Sequence, residues 1–357
     1  MDKTLKFLKE ITDLNGTPGQ EHEVRKFMND YMKKTADEVY QDNLGSVVAK
    51  KVGLEDGPKI VVAGHMDEVG FMVHYIDDKG FIKFSPLGGW WNQVMLAQQV
   101  TITTRENKQY HGVIGSTPPH ALTPEERKNP VDIKKMYIDI GISSKEEAEK
   151  LGIRPGDMIT PYIEFRTLAD EKFLLAKAWD NRIGCAVAME VLDNLKGEKH
   201  ANVYYGVGTV QEEVGCRGAA TSGQMINPDI MFAVDVGLSG DTPGAEAIQS
   251  KMGKGPIIHL MDGGTIGHRG LRDFVVEIAE ELEIPYQLDI LMGGGTDAAR
   301  MHMAHDGAPS MSLGIPSRYI HSHTSMIHRD DYENTVRLMT EVVKRFDKEV
   351  LNRIVFD

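Results

Sequence analysis

Residues 203–217, VYYGVGTVQEEVGCR, constrain this chain more than any other stretch. Val203, Tyr204, Tyr205, Val207 and Val210 form a β-branched and aromatic run with two glycines, the composition of a strand covered on both faces. Strands of that kind belong to α/β sheets, where ligands bind at the carboxyl edge. The run stops at two adjacent carboxylates, Glu212 and Glu213. Two acids delivered to a sheet rim are expensive to desolvate unless cations share the site. The stretch therefore predicts an α/β sheet with a metal at its edge.

The flanking sequence predicts two bodies. Leu5, Leu8, Ile11 and Leu14 fall at helical spacing up to Asn15-Gly16, and Val24, Phe27, Met28 and Tyr31 mark a second helix. Short strands follow near residues 45–50 and 59–63, the latter running into AGHMDEVG. From about residue 70 to 165 helical periodicity mostly gives way to short β-like runs, FMVHYI, FIKFSPL, QVTITT, YHGVIG, YIDIG and MITPYIEF, separated by turns such as Asp77-Asp78-Lys79-Gly80. Trp90 and Trp91 read as packing within this β-rich part. Residues 116–135 are long, proline-rich and charged, and are expected to be a mobile loop.

The α/β alternation resumes at Phe173. A strand through FLLAK, a helix over 183–195, the 203 strand, a strand over 229–234, a helix over 271–283 and strands near 286–291 and 309–313 are expected, with a closing helix over about 331–352. The fold class predicted is α/β: a central mixed sheet flanked by helices, with a small β-barrel domain inserted. Residues 1–69 and 166–357 form the discontinuous α/β domain, and 70–165 the insert.

Five residues share one address in this scheme. His65, Asp180, Glu213, Asp235 and His321 each follow a predicted strand, so one sheet would gather them at one edge. Imidazoles with carboxylates and no thiolate suit zinc, cobalt or manganese. Five ligands exceed what one catalytic zinc takes, and a carboxylate bridging two ions resolves the count. Glu212 beside Glu213 is then a spare carboxylate free to move protons. Gly294, Gly295 and Thr296, in a glycine run before a helix start, are candidates for lining a substrate cleft.

The totals exclude other classes. A formal net charge of -13 argues against nucleic acid or an anionic membrane as partner. No apolar run reaches the roughly 18 residues that span a bilayer. The first residues mix charges into an apolar stripe, unlike a signal peptide. Cys185 and Cys216 are the two cysteines, too few for a disulfide framework, so a cytoplasmic setting is expected.

HMDEVGF, AWDNR, QEEVG, AVDVG, GGGTDA and RYIHSH, in this order around a β-rich insert, resemble the dinuclear-metal aminopeptidases that assemble as tetrahedral shells, of glutamyl and deblocking type. The resemblance spans essentially the whole chain and implies a zinc-exopeptidase-like fold. It implies two divalent ions per subunit, zinc or cobalt with manganese possible, with Asp180 as the bridge. His65 and Asp235 would complete one site, and Glu213 and His321 the other. It implies Glu212 as general base for attack by a metal-bridging water, and Asp67 as the residue that orients His65. It further implies peptide substrates and dimers building a tetrahedral dodecamer through the insert. His323 departs from the family pattern, in which one histidine is commonly followed by proline. Two rivals stand beside this reading. An endoglucanase-type glycoside hydrolase could work with two carboxylates alone, but has no need of His65 and His321. A non-catalytic metal-binding scaffold has no need of Glu212.

Overall fold

The computed structural model describes residues 1–356. Among them the larger body is an 11-stranded mixed sheet flanked by helices, and a closed barrel forms the second. The fold class is thus the α/β one expected, barrel included.

The predicted central strand is Val203–Thr209, buried at every residue. It runs parallel to Lys59–His65, with Thr209 opposite His65. Lys59–His65 is parallel to Ile230–Leu238, which is parallel to Ser310–Arg318. Ser325–His328 then pairs antiparallel with Ser310–Arg318, and Phe173–Ala176 antiparallel with Ser325–His328. Phe173–Ala176 therefore points the same way as the four parallel strands. Five strands deliver their carboxyl ends to one edge, which is the physical basis of the site.

The helix Trp179–Asn194 is apolar on nearly all faces, with residues from Ile183 to Leu192 buried almost without interruption. It lies on the sheet through glycines. A Cβ on Gly64 would sit 2.3 Å from the carbonyl carbon of Gly184, and one on Gly184 would sit 2.1 Å from the carbonyl oxygen of Val234. No larger residue fits either position, so backbone meets backbone where the helix crosses. That closeness lowers the start of the helix, and with it Asp180, onto the rim. Arg182, with no exposed surface, then ties the crossing to the N-terminal segment. Its Nε donates to Met66 O at 2.7 Å, its guanidinium to Leu14 O at 2.9 Å and to Glu68 Oε1 at 3.2 Å. Lys177 reaches the same Glu68 oxygen at 2.6 Å.

The barrel runs in the order Gly70–Ile76, Ile82–Leu87, Tyr137–Asp139, Gln109–Gly115, Gln99–Thr103 and Met158–Pro161. Phe71, Ile102, Ile138 and Ile159 are fully buried inside it. Trp90 stacks on Phe71 at 4.4 Å between ring centroids and donates its indole N–H to Gly70 O at 3.0 Å. Trp91 does not pack there: it is 43% exposed, its ring bonded only to Gln93. Residues 116–131 lie on the surface with short 3-10 turns at Pro119–Ala121 and Glu126–Lys128.

Some elements differ from expectation. The barrel body contains a helix, Lys145–Leu151, capped by Ser144 and ended by Gly152 at φ +88. At seven residues it is too short to set up a periodic pattern. The closing helix is two, Arg329–Arg345 and Lys348–Phe356, because Phe346 is extended. Strands Ile257–Met261 and Ser325–His328 went unread, both being short, at five and four residues. Among the described residues no helix is long and apolar enough to cross a membrane.

Candidate metal centre

All five predicted ligands meet at the strand ends. His65 closes Lys59–His65, Asp180 opens the helix after Phe173–Ala176, and Glu213 and His321 sit in the turns after their strands. Asp235 is the exception to the address, since Ile230–Leu238 continues past it and pairs it with Gly314. Its side chain still faces the cluster, because the neighbouring strand Lys59–His65 has ended its pairing at Ala63.

The arrangement is two triads sharing Asp180. Asp180 Oδ1 lies 3.1 Å from His65 Nε2, and Asp235 Oδ2 is 3.8 Å from the same nitrogen. Asp180 Oδ2 lies 3.3 Å from His321 Nε2, with Glu213 Oε2 at 3.6 Å from it. In each triad, His65/Asp180/Asp235 and Asp180/Glu213/His321, one donor atom per residue falls within 4.8 Å of the others. Asn181 pins the bridge from behind: its Nδ2 donates to Val234 O at 2.8 Å and its Oδ1 accepts from Gly184 N at 2.9 Å.

Adjacent Glu212 and Glu213 part to different triads. Glu212 Oε2 is 3.7 Å from His65 Nε2, while Glu213 faces His321. Asp67 holds the turn between them, its Oδ1 accepting from Glu212 N at 3.0 Å and its Oδ2 from Glu213 N at 3.1 Å. The nearest acceptor for His65 Nδ1 is the backbone oxygen of Asp67 at 2.9 Å, with the carboxylate farther off at 3.6 Å. An Nδ1–H donor there leaves the Nε2 lone pair facing the triad.

The electrostatics fit a cation site. Burial, with Asp180 nearby, pushes Glu213 far above the usual carboxylate range, and burial does the same to Asp235. Glu212 is raised to about 7, chiefly by burial, with Asp297 and Asp67 adding to it. Burial disfavours a charged His65, yet Glu212, Asp180 and Asp235 outweigh it and hold the imidazole's pKa well above its ordinary value. Asp180 goes the other way: burial raises it, but hydrogen bonds from His321 and His65 hold it below the ordinary range. Glu213 Oε1 is buried with no hydrogen-bond partner. A carboxylate oxygen left unpaired among other acids fits a cation ligand, and nitrogen and oxygen donors without a thiol in either triad fit zinc, cobalt or manganese.

Gly294, Gly295 and Thr296 line the same cleft, of about 340 Å³, and Gly294 takes φ +107, which glycine alone adopts easily. His323 lies outside the triads, buried against Trp90 at 5.2 Å between centroids, and burial lowers its pKa to about 4. Four neighbours were not read from the sequence. Asp297, last polar residue of GGGTDA, is buried, accepts from Thr209 Oγ1 at 2.5 Å and offers an oxygen within 4.8 Å of Glu212 and Cys216 donor atoms. Cys216 donates its thiol to Glu212 Oε1 at 3.1 Å. Gly88 and Gly89 come from the barrel body: a Cβ on Gly88 would meet Glu213 Oε2 at 2.9 Å, and one on Gly89 would meet His321 Nδ1 at 3.3 Å. The double glycine before Trp90 was their one sequence signal.

The chain is similar to known proteins over nearly its whole length. A model of the M42 glutamyl aminopeptidases matches residues 45–338. The putative aminopeptidase FrvX of Escherichia coli is 39% identical over 350 residues, covering 98% of this chain and 97% of its own. A TET aminopeptidase from a marine-sediment Thaumarchaeota archaeon superposes with a TM-score of 0.96 at 43% identity, covering 99% of this chain and 100% of its own. The TET1 peptidase of Pyrococcus horikoshii, described as able to assemble into a tetrahedron or a large octahedral shell, gives 0.86 at 30% identity, over 96% and 100% of the two chains.

Proposed function

The chain belongs to the M42 glutamyl aminopeptidase family, and from that premise we propose that it is a metal-dependent aminopeptidase that removes N-terminal residues from peptides. The observation that carries the two-ion form of this reading is the division of Asp180, one oxygen toward His65 and the other toward His321. His65, Asp180 and Asp235 would hold one divalent ion, and Asp180, Glu213 and His321 a second, zinc or cobalt with manganese possible. When bound, such ions lower the pKa of water and polarise a carbonyl.

The chain's own residues do the rest. Glu212 is the general base: it takes a proton from the attacking water and returns it to the leaving amine. Its side chain is free for this because Glu213 is turned to the other triad. Asp67 positions both acids through their backbone N–H groups, and its carbonyl fixes the His65 tautomer. Gly294, Gly295 and Thr296 line the cleft that receives the peptide.

Residues 1–69 and 166–357 are the catalytic domain on this reading, with 70–165 as the insert through which dimers assemble into a shell-like dodecamer in the cytoplasm. Access would then be limited to short or unfolded peptides. The test is hydrolysis of aminoacyl p-nitroanilides and N-acetylated controls by chelated protein, re-titrated with zinc, cobalt or manganese. Activity restored only by metal, near two ions per subunit, and only on free amines is the expected result. Chelator-resistant activity on a glucan would instead favour a glycosidase.

A further inference from the structure

Beside the triads and the glycine run, the cleft is lined by the apolar side chains of Val236, Leu238, Leu291 and Ile320. On the aminopeptidase reading a peptide's amine and first carbonyl lie at the triads, and its first side chain meets this apolar lining. Leu238 is 37% exposed, so it presents apolar surface to an incoming group and is not sealed in the core. Among the described residues lining the cleft there is no lysine, no arginine and no carboxylate beyond the cluster itself.

Two nearby charges, Asp262 and Arg318, are committed elsewhere. Asp262, behind Thr296, is buried and accepts from Gly264 N at 2.8 Å, from Thr296 Oγ1 at 3.2 Å and from Ser312 Oγ at 3.0 Å. Arg318 is locked to Asp241 by two bonds of 2.8 and 2.7 Å. A glutamate at this lining loses water and finds no lysine or arginine, and a lysine finds only the carboxylates of the triads and Glu212, whereas an apolar side chain gains contact area.

We infer that this protein selects peptides whose first residue has an uncharged apolar side chain of about leucine or methionine size, with Leu238, Leu291 and Ile320 as the specificity wall. The inference rests on the aminopeptidase reading above. It sets this chain apart from the glutamyl preference that its family's description names.

The experiment compares kcat/KM of the metal-loaded enzyme on leucyl, methionyl, glutamyl and lysyl p-nitroanilides. Leucyl or methionyl substrate is expected to exceed both charged ones by roughly tenfold or more. In Leu291→Lys the glutamyl-to-leucyl ratio should rise, because an ammonium now faces the side chain. Glutamyl or lysyl hydrolysis as fast as leucyl in the unaltered enzyme overturns the inference while leaving the aminopeptidase reading standing. An unchanged ratio in Leu291→Lys overturns the assignment of the wall. Silence on every free amine overturns both readings together.

Discussion

The carboxylate of Asp67 accepts the backbone N–H of Glu212 through Oδ1 at 3.0 Å, and through Oδ2 it takes the next N–H, that of Glu213, at 3.1 Å. One fully buried side chain thus fixes the turn that sends two neighbouring acids to opposite triads. Replacing Asp67 with alanine strands two part-buried donors, each worth up to about 1–3 kcal/mol. The expected result is a fall in kcat of about 10–100-fold. It is measured by steady-state kinetics, with circular dichroism to establish that the fold remains. A D67A enzyme of unaltered kcat would remove Asp67 from the positioning role.

Metal binding should release protons. Without cations, burial holds Glu213 and Asp235 protonated far above the usual carboxylate range, and surrounding acids keep His65 protonated above the usual imidazole value. Each must lose its proton to ligate, so affinity rises with pH and falls on acidification, by about tenfold per pH unit for each proton released. Calorimetric titration of apo-protein in two buffers of different ionisation enthalpy reads the proton count. A heat independent of the buffer would contradict the protonation states described.

The barrel body reaches the site through Gly88. Its φ of +84, together with 2.8 Å from an added Cβ to Val69 Cγ1 and 2.9 Å to Glu213 Oε2, leaves no room for a side chain. Gly88→Ala should therefore weaken metal retention at the His321 triad more than at the His65 triad, and should cost about 1–3 kcal/mol in stability from backbone strain. Metal content after dialysis and the thermal midpoint are the readouts. Full metal content in G88A would show that the turn can yield without disturbing Glu213.

Arg182 carries a structural load of a different kind. It shares Glu68 with Lys177 in a region sealed from water, and it satisfies the carbonyls of Met66 and Leu14. Arg182→Met strips Met66 O of this donor and leaves Leu14 O and Glu68 with Lys177, and breaking a buried pair of this sort typically costs about 3–5 kcal/mol. Denaturant unfolding should show that loss, and one below about 1 kcal/mol would mean that water or Lys177 replaces the guanidinium.

What the sequence disclosed and what it hid divide along a physical line. That His65, Asp180, Glu213 and His321 would come together was legible because each stands at or just after a strand end, a place that topology fixes. Asp235 was found for nearly the same reason, although its strand runs on to Leu238 and the residue lies within it. Gly88, Asp297 and Arg182 were not legible as neighbours of the site. Their contacts cross large sequence separations, 88 residues between Thr209 and Asp297 and 114 between Arg182 and Glu68, and local pattern contains no information about such meetings. Trp91 was expected to pack and is exposed, since its neighbour Trp90 alone fills the place against Phe71.

The most direct test of the central claim, two ions held by five ligands with Glu212 free beside them, is the metal content and turnover of Glu212→Gln measured on one preparation. Two ions per subunit with kcat reduced by about 10²–10⁴-fold is the predicted result, since a positioned general base contributes on that order. Loss of an ion along with the activity would make Glu212 a ligand, and turnover near that of the unaltered enzyme would place the base elsewhere.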